Sequence, residues 1–340
     1  MKRRDLATLL LLAAIWGGSF LFMRLGIGDF GPVAVAFLRV AVASLVLLPV
    51  LHLRGEWPDL WRHWRPITAV GLTNAALPFI CFAYASKSLS VGLLSIFNAS
   101  TALYAALIAW NWLAERLGRL RVLGLAIGFA GVFGLAVAKS GLLGALGGAG
   151  GSGALGSVGG ASGLAGVGGS GSVGGVGGVG GVGALGGAAS TTTSALAVVA
   201  CLAATLSYGF SVSITKKYLT GVAPMAIAAG SLLAGTAALA IPAWLAWPTR
   251  NPALSSWLAT LALAAICTGW AYAIFFKLIA RIGPTNAIAV TFLVPAFAVA
   301  WGVIFLSEAV TPAMLVGCAV IFAGTALATG VLPRQRVAKA

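Results

Sequence analysis

The chain has 340 residues, 60% of them hydrophobic and 8% charged, whereas an ordinary soluble domain carries roughly a quarter charged residues. This excludes a soluble enzyme and predicts an integral membrane protein with little aqueous domain. The net charge of +15 does not signal nucleic acid, because the basic residues sit in short stretches between apolar runs, without aromatic interleaving or zinc-finger spacing.

A span takes about twenty apolar residues. The first run follows Lys2-Arg3-Arg4 and closes at Arg24. Its basic start mimics a secretory signal, but no small-residue cleavage pattern follows Leu25, so a first membrane span is expected. Five spans are predicted in the first half, at 6–26, 32–51, 66–86, 91–113 and 120–138. The stretch 140–190 then holds 24 of the 47 glycines, the composition of a flexible linker that cannot offset its ordering entropy. Five more spans follow, at 195–215, 224–246, 256–279, 284–306 and 312–332.

The two halves repeat. Trp16-Gly17 and Pro32 recur as Tyr208-Gly209 and Pro224 at an offset of 192. Glu115, Gly124 and Gly131 recur as Glu308, Gly317 and Gly324 at 193. An odd number of spans per copy makes the second copy enter from the opposite side, the architecture of a secondary transporter. The expected fold is therefore all-α: ten transmembrane helices in two inverted five-helix repeats. Residues 1–139 and 191–340 form the repeats, joined by an extracytoplasmic linker at 140–190. Charge sets the orientation. Sixteen Lys and Arg fall in one set of loops and tails, and only Lys87, Lys139 and Arg250 in the other. Both termini are thus expected in the cytoplasm.

The runs "IWGGSFLFMRLG", "GPVAVAFLRVAVASLVLL", "LAERLGRLRVLGLAIGFAGV" and the long stretch from "GWAYAIFFKL" to "VIFAGTAL" resemble the EamA-type branch of the drug/metabolite transporter superfamily. The resemblance covers nearly all of the chain outside 140–190. It implies ten helices in two inverted repeats, cytoplasmic termini, a central cavity, and export of small metabolites such as amino acids; the Ala, Gly and Leu bias points to a bacterium, and so to its inner membrane. The Gly-rich insert departs from the family's usual short connection.

Few residues can carry chemistry. The six carboxylates fall at span ends or in loops, and both histidines, His52 and His63, share one loop. No nucleophile–base pair or ligand cluster forms at depth, so no enzymatic activity, metal or cofactor is expected. Cys81, Cys201, Cys267 and Cys318 read as small core residues. Arg39 is the sharpest candidate. It lies seven residues past Pro32, ~10 Å deep at ~1.5 Å per residue, where a charge is costly unless it meets a cavity or partner. Its donor fork suits a substrate carboxylate; snorkelling is the bland alternative. Its repeat mate is Ser231, so the charge is asymmetric.

The repeat mates Trp16 and Tyr208 sit at mid-depth and suit the walls of a pocket, or plain helix packing. Trp270, Tyr272 and Tyr104 are weaker versions of the same idea. Asn74 and Asn98 are buried amides that need partners, from a cavity or from another helix. Lys277, near the inner end of span 8, reads as an interfacial cation or, with its repeat mate Tyr84, as the last of the expected binding set. Arg24 reads as an interfacial anchor, with Asp29 near enough to pair. Glu115 and Glu308 read as gate contacts or helix caps. Pro78 and Pro295 mark bent spans that either line a path or simply kink. The glycine faces of spans 5 and 10 suit packing within the chain, with dimerisation the alternative. The expected partners are a metabolite and the bilayer, not nucleic acid, with the chain a monomer. A ligand sensor without flux, a passive channel, an uptake system and a lipid-headgroup flippase remain as alternatives.

Overall fold

The computed structural model describes residues 3–114, 118–140, 182–283, 287 and 290–329, without the side chains of 139–140, 182–192, 280 and 329. Among the described residues every regular element is helical. The first half contains α1 (Arg3–Arg54), α2 (Trp57–Arg62), α3 (Trp64–Gly71), α4 (Leu77–Ala85), α5 (Val91–Ala99), α6 (Thr101–Trp112) and α7 (Arg119–Ser140). The second contains α8 (Val182–Tyr218), α9 (Pro224–Leu245), α10 (Leu254–Leu261), α11 (Ala271–Ile282), α12 (Val290–Leu306) and α13 (Pro312–Thr329).

Seven described helical segments are long and apolar enough to cross a membrane; α12 and α13 are apolar but shorter. The 52-residue α1 is about twice the length a bilayer needs. Gly31 breaks it with φ +73°, a conformation open to glycine, directly before Pro32, which has no N–H to continue the ladder. The predicted spans 6–26 and 32–51 fall on its two arms. A π-helical turn, Leu72–Ala76, joins α3 to α4, and another, Ala262–Trp270, joins α10 to α11. The two turns occupy matching places in the two halves. Pro78 accounts for the first one physically. Without an N–H it cannot close the usual bond to Asn74, and Leu77 bonds instead to Leu72 five residues back.

Contacts between the halves map onto one another through the sequence offset. A Cβ added at Gly17 would lie 2.8 Å from both Phe297 Cβ and Ala298 N on α12. One added at Gly209 would lie 2.9 Å from Tyr104 Cβ and 3.0 Å from Ala105 N on α6. Each partner of one contact is the repeat mate of a partner in the other. The α7–α13 pair behaves alike: Gly124 abuts Ala328, and its mate Gly317 abuts Leu135, the mate of Ala328. The glycine faces of these helices therefore pack on each other within one chain, as expected from their spacing. Ser44 and Thr236, themselves 192 residues apart, touch through their hydroxyls at 3.3 Å.

Four carboxylates tie the halves together at the two ends of the bundle. At one end, Asp29 accepts from Ala253 N at 2.9 Å and Ser256 Oγ at 2.6 Å, at the start of α10. There too, Glu308 accepts from Val91 N at 3.0 and 2.9 Å, at the start of α5. At the other end, Asp59 accepts from Ala223 N at 3.0 Å, before α9. Asp5 pairs there with Arg281 at 3.5 Å. Three of the four meet helix N-termini, whose free amides and dipole favour a negative charge.

Candidate functional site

Arg39 lies on the second arm of α1, half-buried between the halves. Its Nε donates to Thr268 Oγ1 at 3.0 Å. Its guanidinium carbon lies 3.8 Å from the centre of the Phe79 ring on α4, within cation–π range. Thr268 is oriented in turn by donating its hydroxyl to Leu263 O at 3.0 Å, five residues back along the second π turn. Among the described residues, the two terminal amino groups of Arg39 make no hydrogen bond, and neither is among the buried polar atoms sealed without a partner. Each therefore keeps some accessible surface on a residue that is half-buried.

The surroundings are amphipathic. Asn74, on the first π turn, reaches Tyr272 OH on α11 at 3.5 Å. Tyr208 and Tyr272 both lie within electrostatic reach of the guanidinium. Ser207 donates to Thr73 O at 2.8 Å, binding α8 to the first π turn. Tyr208 stacks on Phe82 with ring centres 6.1 Å apart. A chain of rings runs from Trp16 through Phe275 and Phe276 to Tyr272, at 5.1, 6.0 and 6.3 Å. Both π turns thus contribute a polar group to one cluster. A π turn shifts side chains out of the usual 3.6-residue register, and such turns recur at functional sites.

Of the sequence-predicted residues, Arg39, Asn74 and Tyr208 meet here, and Trp16 joins through the ring chain. Trp270 does not: it is 60% exposed. It sits between Thr268 and Tyr272, which share one helix face four residues apart, so its own side chain points away. Lys277 is exposed on α11, which leaves it outside the cluster. Tyr84 and Asn98 are half-buried, and neither side chain is hydrogen-bonded among the described residues. Tyr104 packs edge-on against Phe129 instead of reaching the cluster. Pro78 and Pro295 are buried in helix packing and line no open surface. Glu308 is a cap, on α5 of the other half. Glu115 and the segment 141–181 lie outside the described residues.

Arg24 donates to the Ser86 carbonyl, not to Asp29. The Ser256 hydroxyl, then the Ala253 amide, hold the Asp29 carboxyl below its ordinary range. Phe79, Thr268 and Ser207 were missed from the sequence. The signal for Thr268 was its i, i+4 relation to Tyr272; Phe79 carried none.

Comparison with known proteins agrees with this architecture. The sequence pattern of the EamA-like transporter family matches residues 5–137 and again 195–330. Two proteins of Archaeoglobus fulgidus, each named an uncharacterized transporter, are similar. One is 28% identical over 143 residues (42% of this chain and 48% of its own length). The other is 25% identical over 126 residues (36% and 44%). The chain therefore spans about half the length of the curated relatives it matches. A crystal structure at 18% identity superposes with a TM-score of 0.58, covering 98% of this chain and 100% of that one, a likeness of fold alone. With a multi-pass set of apolar helices and a double family match over most of its length, the chain belongs to the EamA-like transporter family, within the drug/metabolite transporter superfamily.

Proposed function

We propose that the protein is a secondary transporter that exports small metabolites bearing an anionic group, amino acids and their relatives, across a bacterial inner membrane by alternating access. The observation that carries this reading is Arg39. A guanidinium braced by Thr268 from the second half and Phe79 from the first, with its two terminal amino groups free of hydrogen bonds among the described residues, can hold a carboxylate in a fork. The aromatic surroundings suit the apolar part of such a molecule.

The two arms of α1, the six further long segments, and α12 with α13 make ten spans in this reading. The offset-related contacts support two inverted halves, 1–139 and 191–340, joined through 140–190. The charge bias puts both termini inside, so Asp29 and Glu308 tie the halves at the outer end and Asp59 and Asp5 at the inner end. Opening either side breaks the ties there. The glycine faces of α7 and α13 occupy each other, which favours a monomer.

The test compares metabolites outside and inside cells carrying the unaltered protein or Arg39→Ala at equal membrane abundance. An anionic or zwitterionic metabolite that accumulates outside only with the unaltered protein supports the proposal. Equal export by both removes Arg39 from the site. No change with either protein, together with tight ligand binding, turns the reading to a sensor.

A further inference from the structure

We propose a second anion site, at the Asp29 end of the bundle: a basin between Arg24 and Lys87 that takes a small oxyanion, carboxylate or phosphate. It rests on the transporter reading only for the compartment it faces. Arg24, Leu25, Ile27, Gly28, Gly31 and Lys87 line one concavity. The bond from Arg24 to the Ser86 carbonyl draws the guanidinium of α1 onto the turn that carries Lys87, so two cations from distant parts of the chain converge.

Among the described residues no carboxylate pairs with either cation. Asp29, the nearest carboxylate in sequence, is engaged by Ala253 and Ser256. Glu308, at the same end, is engaged by Val91. The basin also has room, because beyond the adjoining residues and the helix's own backbone no atom lies within 4 Å of a Cβ added at Gly28 or Gly31.

The topology bias does not account for this convergence. It gathers cations at the opposite end and leaves few here. Two positive charges with no paired carboxylate, against an apolar wall, concentrate anions even with the exposed Asp29 anion offsetting part of their field. The planar donors of Arg24 and the point charge of Lys87 together suit an oxyanion with more than one oxygen. The oxyanion is either a free one, such as a released substrate carboxylate, or the phosphate of a lipid headgroup.

The test needs no substrate. Gly28→Cys, at an exposed and open position, is labelled in neutral-lipid nanodiscs with a sulfonate-bearing or a trimethylammonium-bearing methanethiosulfonate. The four native cysteines supply a measured background in the parent protein. The ratio of the two labelling rates reads the local potential, since any change in the thiol itself affects both reagents alike. We expect the anionic reagent to win. Lys87→Gln should lower the ratio about fivefold, and the charge-keeping Arg24→Lys should preserve it.

Inorganic phosphate, against chloride at equal ionic strength, should slow labelling if the site takes free anions. Slowing by phosphatidylglycerol in the disc, without phosphate, assigns the site to a headgroup. A ratio unmoved by Lys87→Gln, or labelling slowed by neither anion, overturns the proposal. Flux is not read, so this failure is separate from failure of the Arg39 experiment.

Discussion

A guanidinium within a span is costly, and what offsets the cost at Arg39 is geometry from both halves. Thr268 takes one donor and Phe79 covers one face, which leaves the two terminal amino groups without a hydrogen bond among the described residues. A hydrogen bond to a charged group contributes about 1.5–3 kcal/mol. Thr268→Val keeps the shape and removes the acceptor. It should weaken apparent affinity about tenfold for the metabolite whose export depends on Arg39, measured as a rise in the half-saturating concentration. Lys277→Gln, on an exposed position, should leave the same curve unmoved. A loss with Lys277→Gln equal to that with Thr268→Val would mean that the cluster is drawn around the wrong cation.

At the scale of elements, the helix starts and close crossings hold the bundle. The Asp29 carboxyl is held below its ordinary range by the Ser256 hydroxyl and the Ala253 amide. A carboxylate whose folded value is depressed stabilises the fold above its unfolded value, near 3.9, and loses that contribution as pH falls through the lower folded value. Asp29→Asn should therefore lower the thermal midpoint at neutral pH, and the gap to the unaltered protein should close below about pH 4. A gap that stays constant down to pH 3 would mean the carboxylate does not act as an anion. The crossing of α8 over α6 is limited by backbone. Gly209→Leu meets Ala105 N and Tyr104 Cβ near 3 Å, and overpacking of this kind costs about 1–3 kcal/mol. Purified Gly209→Leu should melt several degrees lower, and Gly17→Leu, its mate, by a similar amount.

On the scale of the whole molecule, the contacts differ in what a rocking motion would do to them. Ser44 and Thr236 are repeat mates in contact, so they lie where a two-fold relating the halves would pass. Displacement is smallest near such an axis and largest at the ends. Cross-linking Ser44→Cys to Thr236→Cys should leave export largely intact. Cross-linking Asp29→Cys to Ser256→Cys, which makes the end tie permanent, should abolish it, with reduction restoring flux. Export surviving the end cross-link would rule out opening at that end.

The sequence by itself determined the helical class, the doubled pattern and the family. Each of these is written in local spacing: the length of apolar runs, a recurring Trp-Gly or Tyr-Gly, the placement of lysine and arginine. It also singled out Arg39, because a charge inside an apolar run is visible without a structure. Only the tertiary structure decided the partners of that charge. Phe79 and Thr268 are 40 and 229 residues from Arg39, and hydrophobicity looks the same for a ring that packs and a ring that stacks on a cation. The π turns were equally hidden, since a shift in hydrogen-bond register has no composition of its own. The nearest acid in sequence, Asp29, does not meet Arg24: a helix start from the other half offers it two donors, and Arg24 reaches the Ser86 carbonyl instead. Which face of a span looks inward is a question of neighbours, and that is why Trp270 turned out while Tyr272 turned in.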